Sequence, residues 1–293
     1  MRAVIIKEIT RLERETVVLG TKEAVRKSYE ARSVFEEEVL KPDLAYKAGL
    51  KKIQDAILGL GLNFVVSLRS EAQNFIFREN DVVIIYGEDG AFVNTAKLLQ
   101  NQNVITVATP VRVCGRLMKF SVDEFVSASK ELLNEESDFE IEEVSIAEAV
   151  TSLGQNLEAV NDFFIGRSDL RSSRYTVISN SRQIPQISSG VVISTGTGST
   201  GWEKSIRQSY KENWVERSLS DRSVCFMTRE LCDGELINTF MTRKSIQIMS
   251  SDASCRVIAD GVLDDASMLF LPPGAMVIIN PSKRFIKLVL PKN

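Results

Sequence analysis

The run Asp81-Val82-Val83-Ile84-Ile85-Tyr86 is β-branched and almost unbroken in its apolar character. That is the pattern of a strand covered on both faces of a parallel sheet. Gly87-Glu88-Asp89-Gly90 interrupts it, Ala91–Gln100 then carries Phe92, Ala96 and Leu99 at helical spacing, and Val104-Ile105-Thr106-Val107 reads as the next strand. A strand, a helix and a strand in that order make a βαβ unit. Its glycine loop falls at the carboxyl end of a central strand, where open α/β sheets place their ligands. Ala3–Ile6 and Phe64–Val66 supply further strands. Between Leu44 and Leu58, Leu50, Ile53 and Ile57 give a helix that Gly59 and Gly61 stop.

From about Ser145 the pattern changes to short strands separated by Gly, Pro, Asn or Asp. Val144–Ala147, Ala159–Ile165, Tyr175–Ile178, Val191–Ser194, Val224–Met227, Ile246–Met249, Arg256–Ile258, Met276–Ile279 and Ile286–Leu290 are the candidates. The 293 residues therefore divide into a Rossmann-like α/β domain over 1–140 and a β-rich, sandwich-like domain over 141–293. Leu133–Glu143, acidic and poor in turn residues, is the expected boundary, and the C-terminal tail is expected to pack back on the first domain. No repeat or low-complexity tract interrupts this plan.

Composition narrows the chemistry. A formal net charge of −3 argues against a nucleic-acid partner. No apolar run approaches the ~20 residues of a membrane helix, and the apolar start Ala3–Ile6 is too brief for a signal-peptide core. Cys114, Cys225, Cys232 and Cys255 form no CxxC pair, which argues against zinc and fits reduced thiols in the cytoplasm. The chain has no histidine, so Ser-His-Asp and Cys-His catalysis are excluded, and acid–base work falls to Asp, Glu, Lys, Tyr or water.

Three constellations can carry chemistry. In Gly87-Glu88-Asp89-Gly90 the glycines allow close backbone approach, the following helix offers N–H groups to a phosphate, and Asp89 can orient a hydroxyl or organise Mg²⁺ near phosphates. The alternative is an ordinary strand-to-helix turn capped by Asp89. In Ser194-Thr195-Gly196-Thr197-Gly198-Ser199-Thr200-Gly201-Trp202, small residues let a ligand lie against the backbone while hydroxyls and N–H groups bond to it. Trp202 adds a stacking wall; a flexible linker is the alternative. Asn161-Asp162, set in the apolar run Leu157–Ile165, must find partners if buried, or else marks a strand end or bulge.

Together these elements resemble the NAD kinase family, whose signatures are a Gly-Gly-Asp-Gly loop after a central strand, an Asn-Glu pair and a Thr-Gly-Ser-rich stretch. The resemblance extends toward the mitochondrial-type branch through Val4-Ile5-Ile6-Lys7 with Thr10-Arg11, through Val160–Ser168 with Phe163-Phe164-Ile165-Gly166, and through Ser188-Ser189-Gly190. Asp260-Gly261 fits as well. It implies the NAD kinase fold and transfer of the γ-phosphoryl of ATP, or of polyphosphate, to the 2′-hydroxyl of the adenosine ribose of NAD. The product is NADP, Mg²⁺ comes with ATP, the chain supplies no metal ligand, and the protein is a homodimer or homotetramer.

On that resemblance Asp89 faces the 2′-hydroxyl, and Gly87 and Gly90 let phosphates approach. Asn161 and Asp162 hold the adenosine, Asp162 through ribose hydroxyls. Thr197 and Thr200, with Gly201, line the adenine side, Trp202 takes the place of a family tyrosine, and Ser189 stands where other members carry an acidic residue. Further features depart from the family: Glu88 replaces the second glycine, Ala91 replaces a threonine, Asp162 replaces Glu, and Ala108-Thr109-Pro110 lacks an Asn-containing turn. These departures keep two alternatives in view: a non-catalytic NAD- or NADP-binding sensor, and a kinase for a lipid or sugar hydroxyl.

Overall fold

The computed structural model describes residues 2–110, 115–134, 140–169, 171–179, 182–237, 239–263 and 267–292. Cys114 and residues 135–139 of the expected boundary lie outside the described residues. The chain divides into two units, Met1–Ile141 with Lys287–Asn293, and Glu142–Ile286.

The first unit runs β1 (Arg2–Lys7), α1 (Arg11–Leu19), α2 (Lys22–Ser28), α3 (Lys41–Gly59), β2 (Phe64–Leu68), β3 (Asp81–Gly87), α4 (Asp89–Ala96), β4 (Asn103–Ala108) and α5 (Val122–Leu132). Its strands are parallel in the order β4-β3-β1-β2, with Val4 opposite both Val65 and Val83, and Ile84 opposite Ile105. Lys287 and Leu288 extend the sheet beside Asn103 and Val104 of β4. Ile5, Ile84 and Ile105 pack with Ile53 and Ile57 of α3 and Phe125 of α5. Each such side chain contributes roughly 1.5–3 kcal/mol by leaving water.

The helix expected over Ala91–Gln100 starts two residues earlier and ends at Ala96. Leu98 and Leu99 donate to carbonyls only three residues back, on Thr95 and Ala96, so the last turn tightens and stops. The helices α1, α2 and α5 were not expected. α1 and α5 each begin with a capping box, Thr10 with Glu13 and Ser121 with Glu124, while Thr21 caps α2 through the Ala24 N–H.

The second unit holds β5 (Ile141–Thr151), β6 (Asn156–Ala159), β7 (Asp162–Arg167), β8 (Ser173–Ser179), β9 (Arg182–Ser188), β10 (Val191–Ser194), α6 (Trp202–Ser209), β11 (Val224–Thr228), β12 (Leu231–Gly234), β13 (Phe240–Thr242), β14 (Ile246–Ser250), β15 (Cys255–Ala259), β16 (Met268–Phe270) and most of β17 (Met276–Val289). One antiparallel sheet is ordered β12-β9-β8-β14-β17, with β5 pairing β17 and β6. The other is ordered β13-β11-β10-β7-β15-β16. Phe163, Ile193 and Phe226 of the second sheet meet Tyr175, Ile248 and Val277 of the first.

The opposite face of the second sheet is also covered. Phe164, Val192, Cys225 and Met227 pack beneath Ile206 of α6. Burial on both faces explains why Val191–Ile193 and Val224–Met227 are continuous apolar runs, while the two-faced β14 alternates. The strand expected over Ala159–Ile165 is broken at Val160-Asn161, so β6 joins one sheet and β7 the other. Met276–Ile279 and Ile286–Leu290, expected as two strands, fall on the single β17, which ends one residue earlier, at Val289. Cys225 and Cys255 are buried free thiols and Cys232 is exposed. Among the described residues no helix is long and apolar enough to cross a membrane.

Candidate functional site

In the first unit β3 ends at Gly87, Glu88 occupies the N-cap position without capping through its side chain, and Asp89 is the first residue of α4. Asp89 is therefore not the cap of its own helix. Its carboxylate turns to a loop nearly thirty residues on, where Oδ2 accepts the Arg116 N–H at 3.0 Å and Oδ1 the Leu117 N–H at 3.1 Å. Gly115 leaves room for it, since a Cβ there would fall on the carboxylate. Each Asp89 oxygen has accepted one bond and can accept another. The group is thus held in place yet able to receive a hydroxyl.

Gly87 is buried against Ala91, whose methyl group leaves no room for a further carbon, whereas Gly90 is exposed with open space around its Cα. Glu88 is exposed. A cavity of about 580 Å³ lies beside this loop, lined by Glu88, Gly90 and Thr109 with Arg11, Arg14 and Tyr46.

In the second unit Asp260, in the left-handed region at φ 56°, closes the break between β6 and β7. Its Oδ1 accepts the N–H groups of Val160, Asn161 and Asp162 at 3.0, 2.7 and 3.4 Å, and its own N–H donates to the Asp162 carbonyl at 2.9 Å. Asp162, opposite Ser194 of β10, is buried, and no hydrogen bond from a described residue reaches its carboxyl group. Burial first, and then the neighbouring Asp260 carboxylate, push its pKa up to about 7.

Thr195 ties this corner to the Thr-Gly stretch. Its N–H donates to the Asn161 carbonyl at 2.9 Å. Its hydroxyl donates to the Val160 carbonyl at 2.5 Å and accepts the N–H groups of Thr197 and Gly198 at 3.1 and 3.3 Å. Thr197–Thr200 form a 3₁₀ turn. The Thr197 hydroxyl is buried and has no partner among the described residues. Thr200 and Gly201 are exposed, and Trp202 stands edge-on to Phe164 at 6.0 Å with the Arg229 guanidinium over its ring at 5.2 Å. Among the described residues no three acidic or cysteine side chains gather into a metal-binding cluster.

No family model matches the chain. The NAD kinase of Clostridium tetani is 23% identical over 239 residues, covering 71% of this chain and 86% of that protein. Yeast NADH kinase, solved in complex with NADH, superposes with a TM-score of 0.71 at 13% identity, over 100% of this chain and 84% of that one. The Archaeoglobus fulgidus NAD kinase, solved with ATP, gives 0.65 at 14% identity over 98% and 93%. The chain has the fold of the NAD kinases.

Within that fold the residues singled out from sequence form separate groups. Gly87, Asp89 and Gly90 stand together at the head of α4 in the first unit. Asn161 and Asp162 are joined to Thr197 through Thr195 in the second unit, with Thr200, Gly201 and Trp202 following in chain. Ser189 precedes β10, whereas the Thr-Gly stretch follows it, so the strand separates them. Arg229 spans that gap: Ser189 donates its N–H to the Arg229 carbonyl at 3.0 Å, and the guanidinium covers Trp202. Asp260 entered the sequence reading only as part of a terminal resemblance, and Thr195 only as a member of the stretch. Arg116 and Leu117 were missed, because a backbone N–H carries no residue-type signal.

Proposed function

We propose that the protein transfers the γ-phosphoryl group of ATP to the 2′-hydroxyl of the adenosine ribose of NAD, giving NADP. The observation that carries this reading is one corner, organised by Thr195, that holds the buried Thr197 hydroxyl without a partner and the buried Asp162 carboxyl beside Asp260. A buried hydroxyl without a partner is costly, as is a carboxylate in a buried site, and a nucleoside's hydroxyls and ring nitrogens would satisfy both groups. The likeness to the Clostridium tetani NAD kinase, and to kinases solved with NADH and with ATP, supports the same substrate class. The sequence resemblance favours the mitochondrial-type branch and a homodimer or homotetramer, and the scattered cysteines fit the cytoplasm.

In this mechanism Asn161 and Asp162 hold the adenosine, Thr197, Thr200 and Gly201 line its adenine side, and Trp202 with Ser189 bounds it. Asp89 receives the 2′-hydroxyl as a hydrogen-bond donor at a free acceptor position and takes its proton late. Phosphoryl transfer passes through a loose transition state, so positioning matters more than early deprotonation. The two backbone N–H groups on Asp89 fix that position before substrate arrives. Gly90 leaves space for a phosphate at the head of α4. Mg²⁺ brought by ATP would neutralise charge developing on the phosphate oxygens. Glu88, being exposed, is screened by solvent, which keeps its repulsion of a phosphate near the low end of about 1–4 kcal/mol.

Purified protein given ATP, Mg²⁺ and NAD should form NADP. Asp89→Asn should lower kcat by at least about a hundredfold while NAD binding, read by calorimetry, persists. Undiminished turnover in that variant would remove Asp89 from the chemistry. Tight NAD binding without product from any donor would instead favour a dinucleotide sensor, consistent with an Asp89 already engaged by the 115–117 loop.

A further inference from the structure

Between α6 and β11 the chain from 211 to 223 forms neither helix nor strand, yet Arg217 and Leu219 within it are buried. Arg217 is 8% exposed, and one of its terminal nitrogens donates to the Ser194 carbonyl at 3.1 Å, the Thr195 carbonyl at 2.6 Å and the Glu203 carboxylate at 2.7 Å. The other donates to the Ser223 carbonyl at 3.0 Å and to Asp221 at 3.3 Å. Glu203, at 1% exposure, is also gripped by Arg207 Nε at 3.1 Å.

The backbone N–H of Arg217 donates to Ser199 Oγ at 3.1 Å, and Trp214 Nε1 donates to the Ser199 carbonyl at 2.6 Å. The Ser218 carbonyl presses on Gly196 so closely that a Cβ there would collide with it. From the other side the Asn161 carbonyl presses on Gly198 in the same way. The two glycines that the sequence suggests for ligand approach are therefore filled by the protein's own backbone.

We propose that residues 214–221 are a strap that sets the shape of the Thr195–Thr200 turn, with Arg217 and Trp214 as positioning residues for the dinucleotide. The carbonyls at the start of the turn are fixed by the Arg217 fork, and Ser199 near its end by Trp214 and the Arg217 N–H. Fixing both ends orients the Thr197 hydroxyl and holds Thr195 against Asn161. A planar guanidinium can hold the Ser194, Thr195 and Glu203 oxygens with one nitrogen and Ser223 and Asp221 with the other, which a single ammonium cannot do. Buried ion pairs are often no more stabilising than apolar replacements of equal volume. Here the Arg217–Glu203 pair serves to select one turn conformation.

The inference rests on the dinucleotide reading given above, but its first test does not. Hydrogen exchange of the ligand-free protein reads the turn directly. Trp214→Phe removes one hydrogen bond and keeps a ring under Lys204, so the variant should fold with an unchanged circular-dichroism spectrum. Exchange of the amides from Thr197 to Gly201 should accelerate by about three- to tenfold. The KM for NAD should rise by a similar factor while kcat changes less than twofold. Arg217→Lys should raise KM further, and the fork's loss should not be recovered by the retained charge. Wild-type exchange in the turn with an unchanged KM for Trp214→Phe would overturn the proposal, whether or not Arg217→Lys folds. If wild-type protein makes no NADP, the phosphotransfer reading fails, and the exchange rates still decide the strap.

Discussion

Asp162 is a carboxylic acid in a place that disfavours its charge, and the consequences can be worked out with their sign. Its folded pKa, about 7, lies above that of an exposed aspartate, so between roughly pH 4 and 7 the folded protein binds more protons than the unfolded chain. Stability contributed by this residue is complete below that window and declines as pH rises through it, by an amount on the order of a few kcal/mol. Thermal unfolding of the ligand-free protein should therefore show a fall in Tm from pH 5 to pH 7.5 that Asp162→Asn largely removes. A ribose hydroxyl donating to this group favours the carboxylate. NAD binding should then release a proton near pH 7, visible as a calorimetric heat that depends on the ionisation enthalpy of the buffer. Equal heats in phosphate and Tris would separate Asp162 from the ribose.

At the scale of elements, sequence was informative where burial is local and periodic. β3 from Val82 to Tyr86 and β10 from Val191 to Ile193 are continuously apolar because both faces are covered, and that continuity is visible without knowing what covers them. α5 had its signals as well, a Ser121–Glu124 capping box with Val122, Phe125 and Leu132 on its buried side. α1 had less to read, since Leu12 is its only buried residue and charges surround it. The break at Val160-Asn161 was hidden because the carboxylate that makes it, on Asp260, is about a hundred residues away in sequence. The glycine loop and the Thr-Gly stretch stood out for the same local reason as β3. What Gly196 and Gly198 are for did not, because the carbonyls that press on them come from Ser218 and Asn161. Thr10 offers a test of the element that sequence left faintest. It accepts the Glu13 N–H at 3.2 Å and donates to buried Asp43 at 2.5 Å, whereas Thr21, itself exposed, only caps α2. Thr10→Ala should cost about 2 kcal/mol and Thr21→Ala about 1 kcal/mol or less, measured as urea midpoints at unchanged m.

At the scale of the whole molecule the two units are not consecutive pieces of chain. The first is completed by Lys287–Asn293, whose Lys287 and Leu288 pair with β4 and whose Val289 is fully buried in the core of Ile5, Ile84 and Phe125. Leu288 is also fully buried. Losing two such side chains removes roughly 3–6 kcal/mol of burial, a large share of the 5–15 kcal/mol that stabilises an ordinary domain. The chain's two tryptophans, Trp202 and Trp214, both lie in the second unit, while α1 to α5 lie in the first. Tryptophan fluorescence therefore reports one unit, and far-ultraviolet ellipticity is weighted toward the other. A protein ending at Ile286 should lose helical ellipticity at much lower urea than the full chain, with a smaller shift in its fluorescence transition. Equal shifts in both signals would mean that the units unfold as one cooperative block, and no shift in either would mean that Leu288 and Val289 do not support the first core.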